Sequence, residues 1–313
     1  MINVIVKAYE SVAEGIVALD LQPSSAPLPD WTPGAHIDLH LPNGLVRQYS
    51  LCGPQDSANY RIAVLDAPQS RGGSRCVHSD LKPGQELTIS GPRNLFPLIE
   101  DGEAYCLIAA GIGITPILSM ARRLSALGKT FKLHYAVRGL ERAAFLDEMS
   151  AAFGTALHMH IGNETTPPID WASLIGTGRG NERLYVCGPE AFMDLITHTA
   201  EAQGWSTDRL HRESFVASQE VLETDQDFEV EIASTGDVFT IPVGVSCASV
   251  LDEAGVFIPL SCEKGVCGTC LTRVISGDID HRDLFQTPEE IAANTHFTPC
   301  CSRAKSGRIV LDL

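Results

Sequence analysis

The feature that most constrains this chain is a run of nine residues, Cys262-Glu263-Lys264-Gly265-Val266-Cys267-Gly268-Thr269-Cys270. Three cysteines at C-x4-C-x2-C spacing are followed, after 29 intervening residues, by Cys300, with Cys301 directly beside it. That is the ligand spacing of a plant-type 2Fe–2S centre. Four thiolates must converge on two irons, and one short loop supplies three of them only by folding tightly. Gly265 and Gly268 suit this, since glycine accepts positive φ and lets backbone N–H groups approach sulfur. A structural zinc site and a chance set of buried thiols are the alternatives. Zinc sites pair two short Cys/His hooks, however, and here only one hook is short.

A redox centre carries one electron at a time and makes nothing by itself, so the rest of the chain must supply the electrons. At 313 residues the chain is long for one core, and two or three domains are expected. No apolar run approaches the roughly 18–20 residues that span a bilayer. Met1–Glu10 shows no charged region followed by an apolar one, so no secretory signal is expected. Ten cysteines without an export signal fit reduced thiols and a metal centre in a reducing cytoplasm. The net charge is −16, and residues 223–313 hold 15 Asp/Glu against 6 Lys/Arg, more than half of the excess on under a third of the chain. Such acidity argues against nucleic acid, which wants a basic footprint. It is compatible with steering towards a protein partner that carries a basic patch, or simply with a solvated acidic surface.

From Ile2 to about Pro97 short alternating apolar runs (Val4 to Ala8, Ile37 to Leu41, Tyr60 to Leu65, Glu86 to Ser90) are punctuated by Pro33-Gly34, Pro42-Asn43-Gly44 and Lys82-Pro83-Gly84. This spacing predicts an antiparallel β-barrel over residues 1–100. It contains Arg47-Gln48-Tyr49-Ser50-Leu51 and Arg71-Gly72-Gly73-Ser74, the latter able to form a backbone nest for phosphate. Over residues 101–218 the period changes to that of a parallel α/β domain. Its first strand, Tyr105 to Ala109, leads into Gly111-Ile112-Gly113-Ile114-Thr115-Pro116 and a helix from about Ile117 to Leu127. Thr115 is the expected N-cap and Pro116 the expected first helical residue. Gly111 and Gly113 would let a pyrophosphate approach the helix N-terminus. Further strands are predicted at Lys132 to Val137, His158 to Ile161 and Leu184 to Val186, with helices at Ala143 to Phe153 and Ala191 to Gln203.

Cys187-Gly188-Pro189-Glu190 follows the last of these strands and should face the same crevice as Gly111 to Pro116. A lone cysteine there is either a small buried hydrophobe or a group facing a nicotinamide. His211-Arg212-Glu213-Ser214-Phe215 ends the domain, and the polar stretch 219–227 reads as a linker. Residues 228–313 read as a small mixed sheet around one helix (Cys247 to Ala254), a β-grasp arrangement.

The three modules in this order resemble the phthalate dioxygenase reductase family, a ferredoxin reductase-like, multidomain architecture, over essentially the whole chain. Arg47-Gln48-Tyr49-Ser50-Leu51, Gly91-Pro92-Arg93-Asn94-Leu95-Phe96-Pro97-Leu98 and Thr298-Pro299-Cys300-Cys301-Ser302-Arg303 resemble its vanillate O-demethylase subgroup in particular. The resemblance implies FMN, NADH (with NADPH possible) and a 2Fe–2S cluster as cofactors. It implies Arg47, Gly72, Gly73 and Ser74 at the flavin phosphate, Tyr49 along the flavin and Ser50 near its reactive nitrogen. Gly111, Gly113, Thr115, Cys187, Gly188 and Pro189 are implied at the nicotinamide cofactor, with Ser50, Cys187, Glu213 and Phe215 around the reacting rings. Cys262, Cys267, Cys270 and Cys300 are implied as cluster ligands, the 29-residue gap favouring Cys300 over its rival Cys301. After the second strand, Arg138 and Glu141 point opposite ways for nucleotide choice: an arginine accepts a 2′-phosphate, an acid the free ribose hydroxyl.

The implied chemistry is conversion of a two-electron donor into a one-electron one. A Rieske centre needs C-x-H and a later C-x2-H. Cys76-Val77-His78 imitates the first half, but no C-x2-H occurs. The oxygenase, and the aromatic substrate it binds, are therefore expected on a separate Rieske-type polypeptide. A reductase for another acceptor, or a metal-stabilised interaction protein without flavin, are the competing readings.

Overall fold

The computed structural model describes the chain except for residues 69, 71, 163–167, 179 and 216–220, so Arg71 and the first two residues of the expected linker lie outside the described residues. The chain divides into two units, Met1–Gly44 with Tyr49–Ser214, and Leu45–Gln48 with Phe215–Leu313.

Strands β1 (Ile2–Ala13), β2 (Ile16–Pro23), β3 (His36–His40), β4 (Val46–Ser50), β5 (Tyr60–Leu65) and β6 (Glu86–Ile89) form a six-stranded half-barrel in the order β4-β3-β6-β1-β2-β5. Their described register is antiparallel. Val4, Val6, Leu19, Leu21, Ile37, Leu39 and Ile62 are fully buried, the every-second-residue pattern that reveals strands in a sequence. One element departs from the expectation of strands alone before Pro97. Helix α1 (Gly73–Asp80) starts at the two glycines, and its only buried side chains are Cys76 and Val77. Such a helix carries no apolar stripe for periodicity to reveal.

The second layer of this unit is a wholly parallel sheet. Strands β7 (Ala104–Ala110), β8 (Thr130–Val137), β9 (Leu157–Ile161), β10 (Glu182–Cys187) and β11 (Leu210–Glu213) lie in the order β11-β10-β7-β8-β9. Helices α2 (Ile114–Ala126), α3 (Leu146–Phe153), α4 (Trp171–Ile175) and α5 (Glu190–Ala202) connect and cover the strands. Leu107, Ile108, Leu133, Tyr135 and Tyr185 are fully buried, as are Ile114, Ile117, Met120 and Leu124 of α2. Each such side chain contributes about 1.5–3 kcal/mol by leaving water. Ile16, Ala18, Ala63 and Phe96 of the first layer join the same buried cluster, so both sheets share one core.

Two helix starts differ from expectation. Helix α2 begins at Ile114 with Gly113 as its N-cap, because Gly111–Gly113 winds as a 3₁₀ turn that runs straight into it. Thr115 is therefore not the cap but an internal residue, its Oγ1 donating back to Ile112 O at 3.1 Å. Pro116 remains in the first turn, where its missing N–H costs nothing. Helix α3 begins at Leu146 rather than Ala143, because Leu140–Arg142 forms a 3₁₀ turn and Phe145 takes a left-handed φ of 61°.

In the second unit, β12 (Phe228–Ile232) and β13 (Val238–Ile241) form an antiparallel hairpin. Helix α6 (Cys247–Glu253) follows, capped by Ser246, whose Oγ accepts from Ser249 N at 3.1 Å. Strand β14 (Thr272–Ser276), the short β15 (Ile279–Asp280), helix α7 (Pro288–Ala293) and the strands β16 (His296–Phe297), β17 (Arg303–Ala304) and β18 (Arg308–Leu311) complete it. The sheet order β13-β12-β18-β14-β16, with β12 and β18 parallel, is the mixed sheet expected of a β-grasp fold. Val230, Ile241, Leu251, Phe297, Ile309 and Leu311 are fully buried, and Cys270 and Cys300 join their cluster. Among the described residues no helix is long and apolar enough to cross a membrane.

Candidate functional site

The parallel sheet begins at its centre. From β7 the chain builds outward through β8 and β9, then returns to β10 and β11 on the other side. The loops after β7 and β10 therefore lie side by side at the carboxyl ends of the strands, where open α/β sheets bind ligands. A Cβ on Gly113 would sit 2.3 Å from the Cys187 carbonyl oxygen, and one on Gly188 2.8 Å from the Ala110 Cβ. Only side-chain-free residues let these two loops touch. The turn containing Gly111, Gly113 and Thr115 is thus brought against Cys187, Gly188 and Pro189, and Pro189 caps α5.

Cys187 is fully buried and is the register partner of Glu213 across β10 and β11. Burial, reinforced by the Glu213 carboxyl, pushes the Cys187 thiol well above its ordinary value. Burial raises Glu213 to about 8, and its buried Oε2 has no hydrogen-bond partner among the described residues. The strand end is anchored. Ser214 Oγ donates to Glu190 Oε2 at 2.8 Å, and Arg212 pairs with Glu190 and with Asp194. Phe215, assigned to the second unit, is exposed.

Of the implied flavin residues, Ser50 is buried at the end of β4 and Tyr49 half-buried beside it. Within the second unit, Arg47 Nη1 donates to Val46 O at 2.8 Å and to Ser261 Oγ at 3.0 Å. Within the first, Gly72 takes a left-handed φ of 92° and caps α1, while Asn43 Nδ2 donates to its carbonyl at 3.2 Å. Gly73 is the first helical residue, and Ser74 Oγ accepts from Ala67 N at 3.2 Å. Backbone N–H groups at such a helix start suit a phosphate.

The four cysteines are all buried. Among the described residues no three His, Cys, Asp or Glu side chains converge on one ion. The thiols fall instead into two pairs. Cys262 is hydrogen-bonded to Cys267, and Cys270 Sγ lies 3.4 Å from Cys300 Sγ. Two pairs are what two irons, each taking two protein thiolates, require. The Cys267 thiol, with the backbone N–H groups of Lys264, Val266 and Cys267, pulls the Cys262 thiol down to about 5. The same contact pushes the Cys267 thiol up, so within the pair one thiol is lowered at the other's expense. The Cys270 thiol holds Cys300 up, to about 12. Cys301 is half-exposed, and its Sγ lies 3.5 Å from Thr298 Oγ1.

The loop reverses through left-handed conformations at Glu263, Gly265 and Gly268. At Gly268, with φ 65°, a Cβ would come within 2.3 Å of the Phe285 ring. The segment carrying Phe285 packs on the loop, and Leu284 N donates to Gly265 O at 2.8 Å. Sequence reasoning did not single out this segment. Its Asp283 and Gln286 look like solvated surface in a linear reading, yet both are buried.

Comparison with known proteins adds the following. Residues 230–305 match the 2Fe-2S iron-sulfur cluster binding domain family. The chain is 48% identical to the vanillate O-demethylase oxidoreductase of Pseudomonas sp. (strain HR199 / DSM 7063), with 100% of both chains covered. Among solved structures it is 37% identical to phthalate dioxygenase reductase, described as a modular structure for electron transfer from pyridine nucleotides to 2Fe-2S. That match has a TM-score of 0.73 and covers 99% of this chain and 97% of that one. It is also 35% identical, with a TM-score of 0.82, to an intact type IV self-sufficient cytochrome P450 monooxygenase, covering 100% of this chain and 41% of that one.

Proposed function

This chain belongs to the phthalate dioxygenase reductase family, with the vanillate O-demethylase oxidoreductases among its relatives, and we propose that it is the reductase component of a two-component Rieske-type aromatic oxygenase. It passes electrons from NADH through FMN and a 2Fe–2S cluster to a separate oxygenase protein. The observation that carries the reading is the presence, in one chain, of an entry and an exit for electrons. The entry is the glycine-lined crevice at the switch point of a parallel sheet, and the exit is the two thiol pairs.

Bound flavin would take an electron pair from NADH and release it singly, and bound 2Fe–2S would carry one electron at a time. The residues of this chain bind, orient and shield. Gly73 and Ser74, at the helix start opened by Gly72, offer backbone N–H groups to the flavin phosphate, and the family likeness gives Arg47 as a charge partner of that phosphate and Tyr49 and Ser50 along the flavin. Gly111, Gly113 and Thr115, with Cys187, Gly188 and Pro189, receive the dinucleotide. Glu213 supplies a buried carboxyl that is neutral at physiological pH, and Cys187 a buried neutral thiol beside it. Phe215, exposed, is positioned by the family likeness to cover the ring that the nicotinamide must reach. Cys262, Cys267, Cys270 and Cys300 hold the cluster. The domains follow the modules, 1–100 for flavin, 101–218 for nucleotide and 228–313 for the cluster, with 219–227 as linker. Ten cysteines, none of them in a disulfide, suit a reducing compartment, which supports a cytoplasmic location.

A reductase for another acceptor is a second reading, favoured by the likeness to the self-sufficient cytochrome P450 monooxygenase. Anaerobic titration of the purified chain with NADH, and separately with NADPH, tests the proposal. Flavin absorbance and a cluster shoulder should both bleach, with NADH effective at the lower concentration. A colourless protein sinks the reading as a whole. Failure of every Rieske oxygenase to accept its electrons, alongside rapid reduction of a haem acceptor, selects the second.

A further inference from the structure

Behind the cysteines of the second unit lies a buried polar cluster that none of the proposed roles uses. Its centre is Asp283, whose side chain is 0% exposed. Asp283 Oδ2 accepts from Phe285 N at 3.2 Å and from Gln286 N at 2.9 Å. Asp283 Oδ1 accepts from Gln286 Nε2 at 3.1 Å, Thr298 Oγ1 at 3.1 Å and Ser302 Oγ at 3.4 Å. The other Gln286 amide hydrogen serves His281 Nδ1 at 3.1 Å, which makes that ring nitrogen an acceptor. His281 therefore does not donate to Asp283 through Nδ1, although the two atoms are 3.7 Å apart. The neighbouring Arg282 is engaged elsewhere, by Asp225 and Asp280. Because Thr298 Oγ1 and Ser302 Oγ are also hydrogen-bonded to each other at 2.6 Å, one hydroxyl at a time donates to Asp283, and the carboxylate is thus held by four neutral hydrogen bonds. Burying a charge in this way is expensive unless every lone pair is used, and here nearly every one is.

The partners of Asp283 are the two ends of the candidate cluster site. On one side, Leu284 N donates to Gly265 O, and Phe285 seats against Gly268, both within the three-cysteine loop. On the other, Thr298 and Ser302 bracket Cys300. Thr298 O accepts from Cys301 N at 3.1 Å and from Ser302 N at 3.0 Å, and the Thr298 and Ser302 hydroxyl oxygens are 2.6 Å apart. Three ligand candidates are close in sequence and one is remote. Something must set the distance between the loop and the remote turn, and Asp283 bonds the remote turn directly while fixing the 285–286 backbone of the segment that packs on the loop.

We propose that Asp283 is a positioning residue that fixes the Cys300 turn against the three-cysteine loop, and that its buried negative charge lowers the reduction potential of the group held there. The inference rests on the ligand assignment above. Charge and hydrogen bonding around a cluster are two of the main determinants of its potential, and ligand-orienting outer contacts matter nearly as much as the ligands.

The test uses the full chain, purified with its cofactors, as Asp283→Asn and Asp283→Ala beside the parent and Cys300→Ser. Asparagine keeps the shape and most of the hydrogen bonds but removes the charge. Redox titration followed by visible absorbance should show Asp283→Asn with full iron and sulfide but an easier cluster reduction. The equilibrium should shift about tenfold, or roughly 59 mV positive for a one-electron couple. Asp283→Ala should lose iron and acid-labile sulfide several-fold faster under a chelator, while NADH still reduces its flavin at the parental rate. A parental potential in Asp283→Asn together with parental iron retention in Asp283→Ala overturns the proposal. If Cys300→Ser keeps the parental cluster spectrum, it is the ligand assignment that fails, whatever the Asp283 variants show. Should Asp283→Ala not fold, the potential of Asp283→Asn decides alone.

Discussion

Cys187 and Glu213 are register partners on adjacent parallel strands, a buried thiol next to a carboxyl whose Oε2 has no hydrogen-bond partner among the described residues. Neither is placed to be ionised at neutral pH. Burial lifts Glu213 from an ordinary 4.5 to about 8 and the Cys187 thiol well above its usual range. An orphaned polar atom inside a fold costs stability, and such costs cluster where a ligand is to be received. The pair sits at the carboxyl ends of β10 and β11, beside the glycine turn that meets Cys187. The fold thus keeps an uncharged carboxyl and an uncharged thiol at the mouth of the crevice proposed above for the nucleotide.

Glu213→Gln tests the buried neutral carboxyl. Because the folded pKa is raised, the folded chain keeps a proton that the unfolded chain releases between about 4.5 and 8. The contribution of this group to stability is complete below pH 4.5 and is lost as pH rises through 8. Glutamine stays neutral throughout. The variant should therefore gain on the parent with rising pH, by up to about 4 kcal/mol at pH 8, visible as a flatter plot of Tm against pH. Stopped-flow reduction of the flavin by NADH should also lose a pH dependence centred near 8. Parallel Tm plots for the two proteins would refute the assignment.

Gly113→Ala probes the contact between the two loops of the crevice. The added carbon would meet the Cys187 carbonyl at 2.3 Å, and a backbone oxygen cannot swing aside as a flexible side chain can. Relief must come from moving one loop, at about 1–3 kcal/mol. The expected result is a lower Tm and a several-fold higher KM for NADH, with cluster absorbance unchanged. An unaltered KM would separate this contact from nucleotide binding.

How far the sequence speaks depends on the distance over which each feature is decided. The three cysteines of 262–270 are legible because their spacing is local and set by the ligand geometry. The meeting of Gly113 with Cys187 is legible although 74 residues part them in the sequence, because the order of strands and helices obliges both loops to the same end of the sheet. The start of α2 is not, since Thr115-Pro116 looks like a cap whereas the backbone of Gly111–Gly113 has already begun to wind. Helix α1 escapes because only two of its side chains are buried. Asp283 escapes for a different reason. Its burial comes from Thr298 and Ser302, 15 and 19 residues away on another turn, and a polar residue among polar neighbours gives no periodic sign of that.

His134 should make the nucleotide-binding layer sensitive to acid. It is 2% exposed, its Nδ1 lies 3.0 Å from His160 Nε2, and its ring stacks on His158 at 5.0 Å. Burial first, then the neighbouring imidazoles, lowers it from 6.5 to about 4. The unfolded chain takes up a proton below 6.5 that the folded chain refuses, so the stability this group contributes is lost as pH falls from 6.5 towards 4. The loss is at most about 3 kcal/mol. His134→Gln, which cannot titrate, should show a smaller drop in Tm between pH 7 and pH 5 than the parent, with the two closest at neutral pH. An equal or larger drop would move the acid sensitivity to another group.

The adjacent cysteines 300 and 301 give the most direct test of the electron exit. Cys300 is buried and pairs with Cys270 at 3.4 Å, whereas Cys301 is half-exposed, lies 3.5 Å from Thr298 Oγ1 and is hydrogen-bonded to Cys300 itself. One residue of register decides which sulfur meets the loop, and the Asp283 contacts to Thr298 and Ser302 hold that register. Cys300→Ser should therefore lose most of its iron and sulfide and the visible cluster shoulder, while NADH continues to bleach the flavin. Cys301→Ser should retain both chromophores and reduce an acceptor at nearly the parental rate. Iron analysis and anaerobic spectra of the two variants read out the difference. The reverse pattern, cluster kept in Cys300→Ser and lost in Cys301→Ser, would mean that the turn rotates by one residue when it takes up metal, and the two thiol pairs seen here would not be the ligand set.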